Sequence, residues 1–250
     1  RLLHKVKLIN QENYDRIREK GTTRLNFTYN YIQNIDFYTL NSLNAGFGYN
    51  FRGSRRTKYT INQVGIDYLS PVTTLNFDTL ILDQSPFLQR SFTKQLFTSV
   101  LLRDLSVNFT QPPNLFGQSY SILGRFELSG LEVFEANWIY NEIRSNSVPD
   151  TFSLRFPTDT VSFSQFVKLE LDYRNYRTFS PKKSFVWRLY AGVALPFGYS
   201  NSVPYVKQFF VGGPQSIRAW AAREIGPGGY RDPLTFNDGA NSFSTIFYKT

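Results

Sequence analysis

Arg218 has the surroundings in this chain best suited to specific chemistry. It lies in the run Phe209-Phe210-Val211-Gly212-Gly213-Pro214-Gln215-Ser216-Ile217-Arg218-Ala219-Trp220, and the chain continues to Ile225-Gly226-Pro227-Gly228-Gly229-Tyr230-Arg231-Asp232-Pro233. Long loops inside compact domains are functional or disordered. The glycines and the aromatic residue at Trp220 favour one that folds back on itself. A single guanidinium carried inside such a loop must meet carboxylates, because an unpaired buried charge costs several kcal/mol.

Other chemistry is scarce. The chain has no Cys and one His, His4, so disulfides, zinc-thiolate sites and cysteine nucleophiles are excluded. A triad or a histidine-based metal site would rest on His4 alone, and no Gly-x-Ser-x-Gly elbow occurs. The glycine clusters at 212–213 and 226–229 lack the Gly-Lys-Ser/Thr of a phosphate loop. The stretch 232–239 is too sparse in acids for a calcium loop. Glu132 and Glu135 have no evident acid–base partner. No enzyme, metal or cofactor is expected.

The elements that must position Arg218 are strands. Leu25, Phe27, Tyr29 and Tyr31 alternate with Asn26, Thr28 and Asn30; Leu43, Ala45, Phe47, Tyr49 and Phe51 alternate with Asn44, Gly46, Gly48 and Asn50. Period two is the mark of a strand with one buried or lipid-facing side, and the two runs read as a hairpin. Val64, Ile66 and Tyr68 alternate with Gly65 and Asp67, and Pro71 is expected to stop that run. At least one more strand falls within 96–111. The clearest pair comes next. Val167, Leu169, Leu171 and Tyr173 oppose Lys168, Glu170, Asp172 and Arg174. After a turn at Pro181-Lys182-Lys183, Phe185 through Leu195 alternates over about eleven residues, the length a tilted strand needs to cross the hydrocarbon layer. Apolar residues on one side and charges of both signs on the other suit a barrel wall with lipid outside and water inside. Aromatic residues near the strand ends (Tyr31, Tyr49, Phe51, Tyr173, Tyr176, Phe179, Phe197 and Tyr199) fit interfacial girdles. Residues 8–20 read as a linker, a short helix or a strand start. In 131–141, Leu131, Phe134 and Trp138 have helical spacing while Leu131 and Val133 fit a strand. Residues 111–119 and 144–164 read as loops.

Composition agrees. Aromatics make up 17% of 250 residues, with 24 Phe and 16 Tyr, yet mean hydropathy is only −0.32. No run of about 18 apolar residues offers a spanning helix. The formal net charge of +9 comes from scattered residues, so a basic lumen or lipid-headgroup contact is expected rather than nucleic acid. Arg1 is not an initiator and no signal peptide is visible, which reads as a segment of a longer protein.

The run Gly212-Gly213, then Ser216-Ile217-Arg218-Ala219-Trp220, resembles the signature loop of the BamA/TamA family of outer-membrane assembly proteins (bacterial surface antigen type). That loop usually reads Gly-Gly, a spacer, then Ser-Val-Arg-Gly-Phe. Here Ile217 stands for Val, Ala219 for Gly and Trp220 for Phe, and Gly226-Pro227 also matches. The strands over 168–174 and 188–196 look like the family, as does Ser85-Pro86-Phe87-Leu88 more weakly. The resemblance implies an all-β fold: a transmembrane antiparallel β-barrel of sixteen strands in the bacterial outer membrane, of which residues 1–250 are an incomplete segment. Residues 203–239 would form the signature loop, dipping into the lumen, where Arg218 meets acids on the wall. Glu170 and Asp172 are the candidate partners. The family also implies periplasmic domains and a barrel closed by its first and last strands.

The function expected from this is assembly or insertion of outer-membrane proteins, or translocation, through a weak seam and local bilayer distortion, with client strands added at an edge. The alternative is a two-partner-secretion type export pore on the same barrel. Expected partners are the outer-membrane lipid bilayer, client β-barrel or secreted proteins, and accessory lipoproteins or periplasmic partners.

Overall fold

The structure is a computed structural model that describes residues 11–34, 38–79, 92–144, 153–156, 159–214 and 217–220. Among these residues ten strands form one sheet: β1 (Thr22–Asn34), β2 (Tyr38–Arg52), β3 (Thr57–Thr73), β4 (Gln95–Ser99), β5 (Asp104–Gln111), β6 (Gln118–Ser129), β7 (Ser153–Phe156), β8 (Asp159–Phe163), β9 (Phe166–Ser180) and β10 (Lys183–Pro196). Among the described residues three α-helices accompany them, α1 (Gln11–Lys20), the single turn α2 (Leu75–Phe77) and α3 (Leu131–Arg144), with a 3-10 turn at Tyr205–Lys207. The fold is all-β and mostly antiparallel. From β1 the pairing runs β2, β3, β5, β6, β9 and β10, with β4 continuing the row of β5 along β3 and leading to β8 and β7. Among the described residues the sheet does not close, since β1 pairs with β2 and β10 with β9.

The antiparallel path places two kinds of connection at opposite ends. At one end the links are tight. Ser54 Oγ accepts from the Thr57 N–H at 3.1 Å and Gly53 N–H donates to the Thr57 carbonyl at 3.1 Å. Asn114 Oδ1 accepts from the backbone of Phe116 (2.9 Å) and Gln118 (3.0 Å). Gly117 has φ 66°, a left-handed conformation that glycine adopts without strain, and its carbonyl accepts from Thr178 N–H at 2.9 Å. Pro181 and Lys182 make the third turn. At the other end only residues 35–37 separate β1 from β2, but the link from β3 to β4 is long, and the one between β6 and β9 carries α3, β7 and β8.

The two faces separate by polarity. On β9, Leu169 and Leu171 are 48% and 47% exposed, while Asp172 is 6% exposed. Leu25, Phe27, Tyr29 and Tyr31 of β1 are also exposed, as expected for a face that water does not cover. On the polar face a side-chain chain crosses five strands. Asn26 Nδ2 donates to Asn44 Oδ1 at 2.6 Å, and Asn44 Nδ2 donates to Asp67. Asp67 Oδ2 lies 2.6 Å from Arg103 Nη2, which is also 2.8 Å from Glu127 Oε1.

Arg103 is 3% exposed and sits in an irregularity that alternation alone does not reveal. Along β3 the register steps by two, from Asn62↔Asp104 to Gly65↔Ser99, so residues 100–103 bulge out between β4 and β5. Bulges re-aim side chains, and this one turns Arg103 inward. Its backbone stays bonded, N–H to the Asn62 carbonyl and carbonyl to the Leu128 N–H, each at 2.9 Å. Nη1 donates to the Leu128 carbonyl at 3.0 Å. Gly65 leaves the room: a Cβ there would lie 2.5 Å from Arg103 Cγ. Glu132 of α3 fastens the bulge, with Oε1 accepting from Ser99 Oγ (2.7 Å), Leu101 N–H (2.9 Å) and Val100 N–H (3.2 Å). The carboxylate that had no partner in the sequence has a structural one.

Five other expectations are resolved or corrected. Residues 11–20 are helical, and 131–144 form a helix with Leu131, Phe134 and Trp138 one and two turns apart. β3 runs past Pro71 to Thr73. Its register with β4 ends at Leu69, so the missing proline N–H removes no bond to that strand. The stretch 144–164, read as loop, contains β7 and β8. These strands are only four and five residues long, too short for periodicity to register, and β8 gains its place by pairing parallel with β4 through Gln95↔Ser162 and Leu96↔Phe163. Of the girdle aromatics, Phe51 is buried against Tyr59 with rings 5.0 Å apart, and Phe197 and Tyr199 pack on Phe134.

Replacing Arg103 with Ala removes the buried cation that Asp67 and Glu127 share. The expected loss is about 3–5 kcal/mol, read as a lower urea midpoint of the folded protein in bilayers. Arg103→Lys should recover only part of it, because one ammonium cannot reproduce the fork.

Candidate functional site

The chain divides into two compact units. The first holds the described residues of 1–30, 42–69 and 94–201; the second holds those of 31–41, 70–93 and 202–250. Each contains part of the expected site.

In the first unit, Glu170 and Asp172 lie on the polar face, and both already have cations. Asp172 receives two guanidinium forks. Arg174 donates through Nε (3.2 Å) and Nη2 (2.8 Å), and Arg188 through Nε (2.9 Å) and Nη2 (2.8 Å). Paired forks are the strong form of this contact. Arg174 and Arg188 stand directly opposite each other on β9 and β10, a pairing of like charges that is unfavourable by itself. Asp172 makes it tenable by lying within reach of both. Glu170 is held by Lys168 Nζ at 2.9 Å and Arg125 Nη1 at 3.4 Å. Each carboxylate therefore sits in a cluster with one surplus positive charge. Asp172 and Arg174 also line a polar recess of about 400 Å³ with Asn108, Thr110 and Ser121. The alternation of β9 foretold the two acids. The arginine pair was hidden, because Arg188 belongs to a strand that reads as nearly all apolar.

The same unit fixes where the chain leaves β10. Gln165 is fully buried just before β9. Its Oε1 accepts from Tyr199 N–H at 2.7 Å, its carbonyl accepts from Phe197 N–H at 3.1 Å, and its own N–H donates to Ser200 Oγ at 2.8 Å. Gly198, at φ 62°, makes the corner, and Phe134 of α3 covers it, with Asn137 Nδ2 donating to Tyr199 Oη at 3.2 Å. No sequence signal marked Gln165.

In the second unit, Gly212 and Gly213 are buried and both have positive φ, 100° and 84°. A side chain at either position would be strained. Gly213 N–H donates to the Trp220 carbonyl at 2.8 Å, and Trp220 N–H donates to the Ile217 carbonyl at 3.2 Å. The second bond closes a four-residue turn with Arg218 at its second position, and the first ties the turn back to the glycine pair. The loop thus folds back on itself, and Arg218 stands exposed at its tip with Ile217, Ala219 and Trp220. In the same unit, Tyr38, Phe77 and Phe92 form a tight aromatic cluster with centroids 4.9–5.5 Å apart. Ser216, Gly226 and Pro227 lie outside the described residues, as does 85–88. Among the described residues no group of three or more His, Cys, Asp or Glu could hold a metal ion.

Asp172→Asn should remove the carboxylate that Arg174 and Arg188 share. Because both arginines are about two-fifths exposed, solvent screens the repulsion and the expected loss is about 1–2 kcal/mol. Raising the salt concentration should recover part of it, which a urea titration at low and high salt would read.

No curated protein matches the chain. The family model of the Omp85 superfamily domain matches residues 5–245, nearly the whole chain, including the sheet with its charged face and the glycine-clamped arginine turn. The chain therefore belongs to the Omp85 superfamily, an outer-membrane family whose members insert or secrete proteins.

Proposed function

We propose that this chain is the barrel wall of an outer-membrane assembly or translocation factor of BamA/TamA type, and that the Arg218 turn enters the barrel lumen. The family match over 5–245 carries the reading. Two features of the chain support the finer part. The Gly213–Trp220 clamp presents Arg218 at the end of a short, closed turn, a form suited to insertion as a unit. The polar face offers Glu170 and Asp172, the acids that a lumenal guanidinium needs.

The geometry of those acids sets how such a contact works. Asp172 already accepts four N–H bonds from two guanidinium groups. Arg218 engages it by exchanging with Arg174 or Arg188, both partly exposed, or engages Glu170 in place of the long 3.4 Å contact with Arg125. A contact made by exchange is nearly balanced in energy, so the loop can be held or released by small changes elsewhere. That is a useful property in a wall that must yield to client strands. The chemistry is non-covalent throughout: charge pairing, hydrogen bonding and edge-strand addition.

The test is Arg218→Ala in the full-length protein in cells. Because Arg174, Arg188 or Arg125 can take the carboxylate back, the loss stays below the roughly 1.5–3 kcal/mol of an uncompensated charge-assisted hydrogen bond; heat-modifiability of the barrel should appear at a modestly lower temperature and outer-membrane β-barrel proteins should fall in amount. Arg218→Lys should restore part of both. Normal client levels together with unchanged heat-modifiability would sink the role assigned to the loop.

A further inference from the structure

The short-turn end of the sheet is strongly basic. The β2–β3 turn and its flanks carry Arg52, Arg55, Arg56 and Lys58, all exposed, with no acid in 51–58. The β9–β10 turn adds Arg177, Lys182 and Lys183, all exposed, with no acid in 177–183. Thr22 Oγ1 donates to the Asn50 carbonyl at 3.4 Å, which brings the start of β1 to the same end. There Arg18, Lys20 and Arg24 flank a single carboxylate, Glu19. This end alone carries a surplus equal to the formal charge of the whole chain, +9. Among the described residues no ion pair reaches Arg52, Arg55, Arg56, Lys182 or Lys183.

The outer face shows what lies beside this rim. Along the lipid-facing row of β9 the residues change from Val167, Leu169 and Leu171 to Tyr173, then Asn175, Arg177 and Phe179. The change comes at an aromatic row that crosses four strands: Phe109 to Tyr120 at 5.8 Å, Tyr120 to Tyr173 at 6.2 Å, and Tyr173 to Trp187 at 5.0 Å. Such a row marks the depth of the headgroups. Arg177 lies just beyond it on the outer face, its guanidinium 5.2 Å from the ring centre of Phe179. Between the two basic turns, the β5–β6 turn presents Leu115 and Phe116 almost wholly exposed. Apolar tip, aromatic row and cationic rim form the sequence that an anionic membrane surface selects.

We propose that the short-turn rim is a binding surface for anionic phospholipid headgroups, with phosphates held by Arg177 and by the two basic turns and acyl chains against Tyr173 and Trp187. Short turns of such barrels face the periplasm, so the leaflet concerned is the inner one. The role is to fix the depth of the wall and gather anionic lipid around it. The inference rests on the barrel reading above and adds a ligand class to it.

The test uses the full-length protein inserted into phosphatidylcholine vesicles and into vesicles that also contain phosphatidylglycerol. The variant replaces Arg55, Arg56, Arg177, Lys182 and Lys183 with Gln, and a control exchanges Arg and Lys at the same positions. Insertion is read by heat-modifiability, and retained lipid by native mass spectrometry. The wild-type protein should retain phosphatidylglycerol roughly fivefold or more over its share in the vesicle. The Gln variant should fall to the vesicle ratio and the exchange control should keep the enrichment. Equal enrichment in wild type and Gln variant, or none in either, overturns the proposal. So does binding of an acidic peptide by the rim without lipid enrichment. Failure of the wild-type protein to insert into either vesicle would overturn the barrel reading itself.

Discussion

One buried guanidinium organises the wall. Arg103 leaves its strand at a bulge, enters the polar face and joins Asp67 of β3 to Glu127 of β6. Taking three charges out of water is costly, and only close geometry with extra hydrogen bonds offsets it. Those extra bonds are present at the Leu128 carbonyl and, through Asp67, at Asn44. Much around Arg103 follows from it. Gly65 must lack a side chain, β4 and β5 must be separate strands, and Glu132 must reach from α3 to hold the bulge backbone. An antiparallel sheet of this kind has little apolar core of its own. Its inner face is held by pairing charges, and Arg103 is where that pairing is most deeply buried.

The same logic extends along β9 and β10. Lys168, Glu170, Asp172 and Arg174 are spaced so that each acid touches a base, and Arg188 enters from the next strand to share Asp172. The clusters keep surplus positive charge. The corner at Gln165 and Gly198, braced by Phe134, fixes the path by which the chain leaves β10.

The strands were legible because their chemistry repeats every two residues. Leu169 and Leu171 against Glu170 and Asp172 needed no neighbour to interpret, and neither did Leu25 to Tyr31. The glycine-flanked loop was legible because Gly212 and Gly213 do what only glycine does easily: they hold positive φ. What escaped were features set by another element. Arg103 and Asp104 look like a strand start, and only the step in register along β3 shows that Arg103 turns inward. Glu132 acquires a role from the bulge it caps, Gln165 from the corner it fills. β7 and β8 are too short to show a period and exist by pairing. Pro71 was misread because a proline stops a strand only where its N–H is needed.

The central claim is that one face of this sheet meets lipid and the other water. Single cysteines can be introduced at positions 167 to 174 of this cysteine-free chain and labelled with a nitroxide. Electron paramagnetic resonance of the full-length protein in vesicles then compares collisions with oxygen, which concentrates in lipid, and with a water-soluble nickel complex. Oxygen accessibility should peak at 167, 169, 171 and 173, and nickel accessibility should be out of phase with it at 168, 170, 172 and 174. Uniform accessibility along the strand, or the opposite phase, would contradict the account.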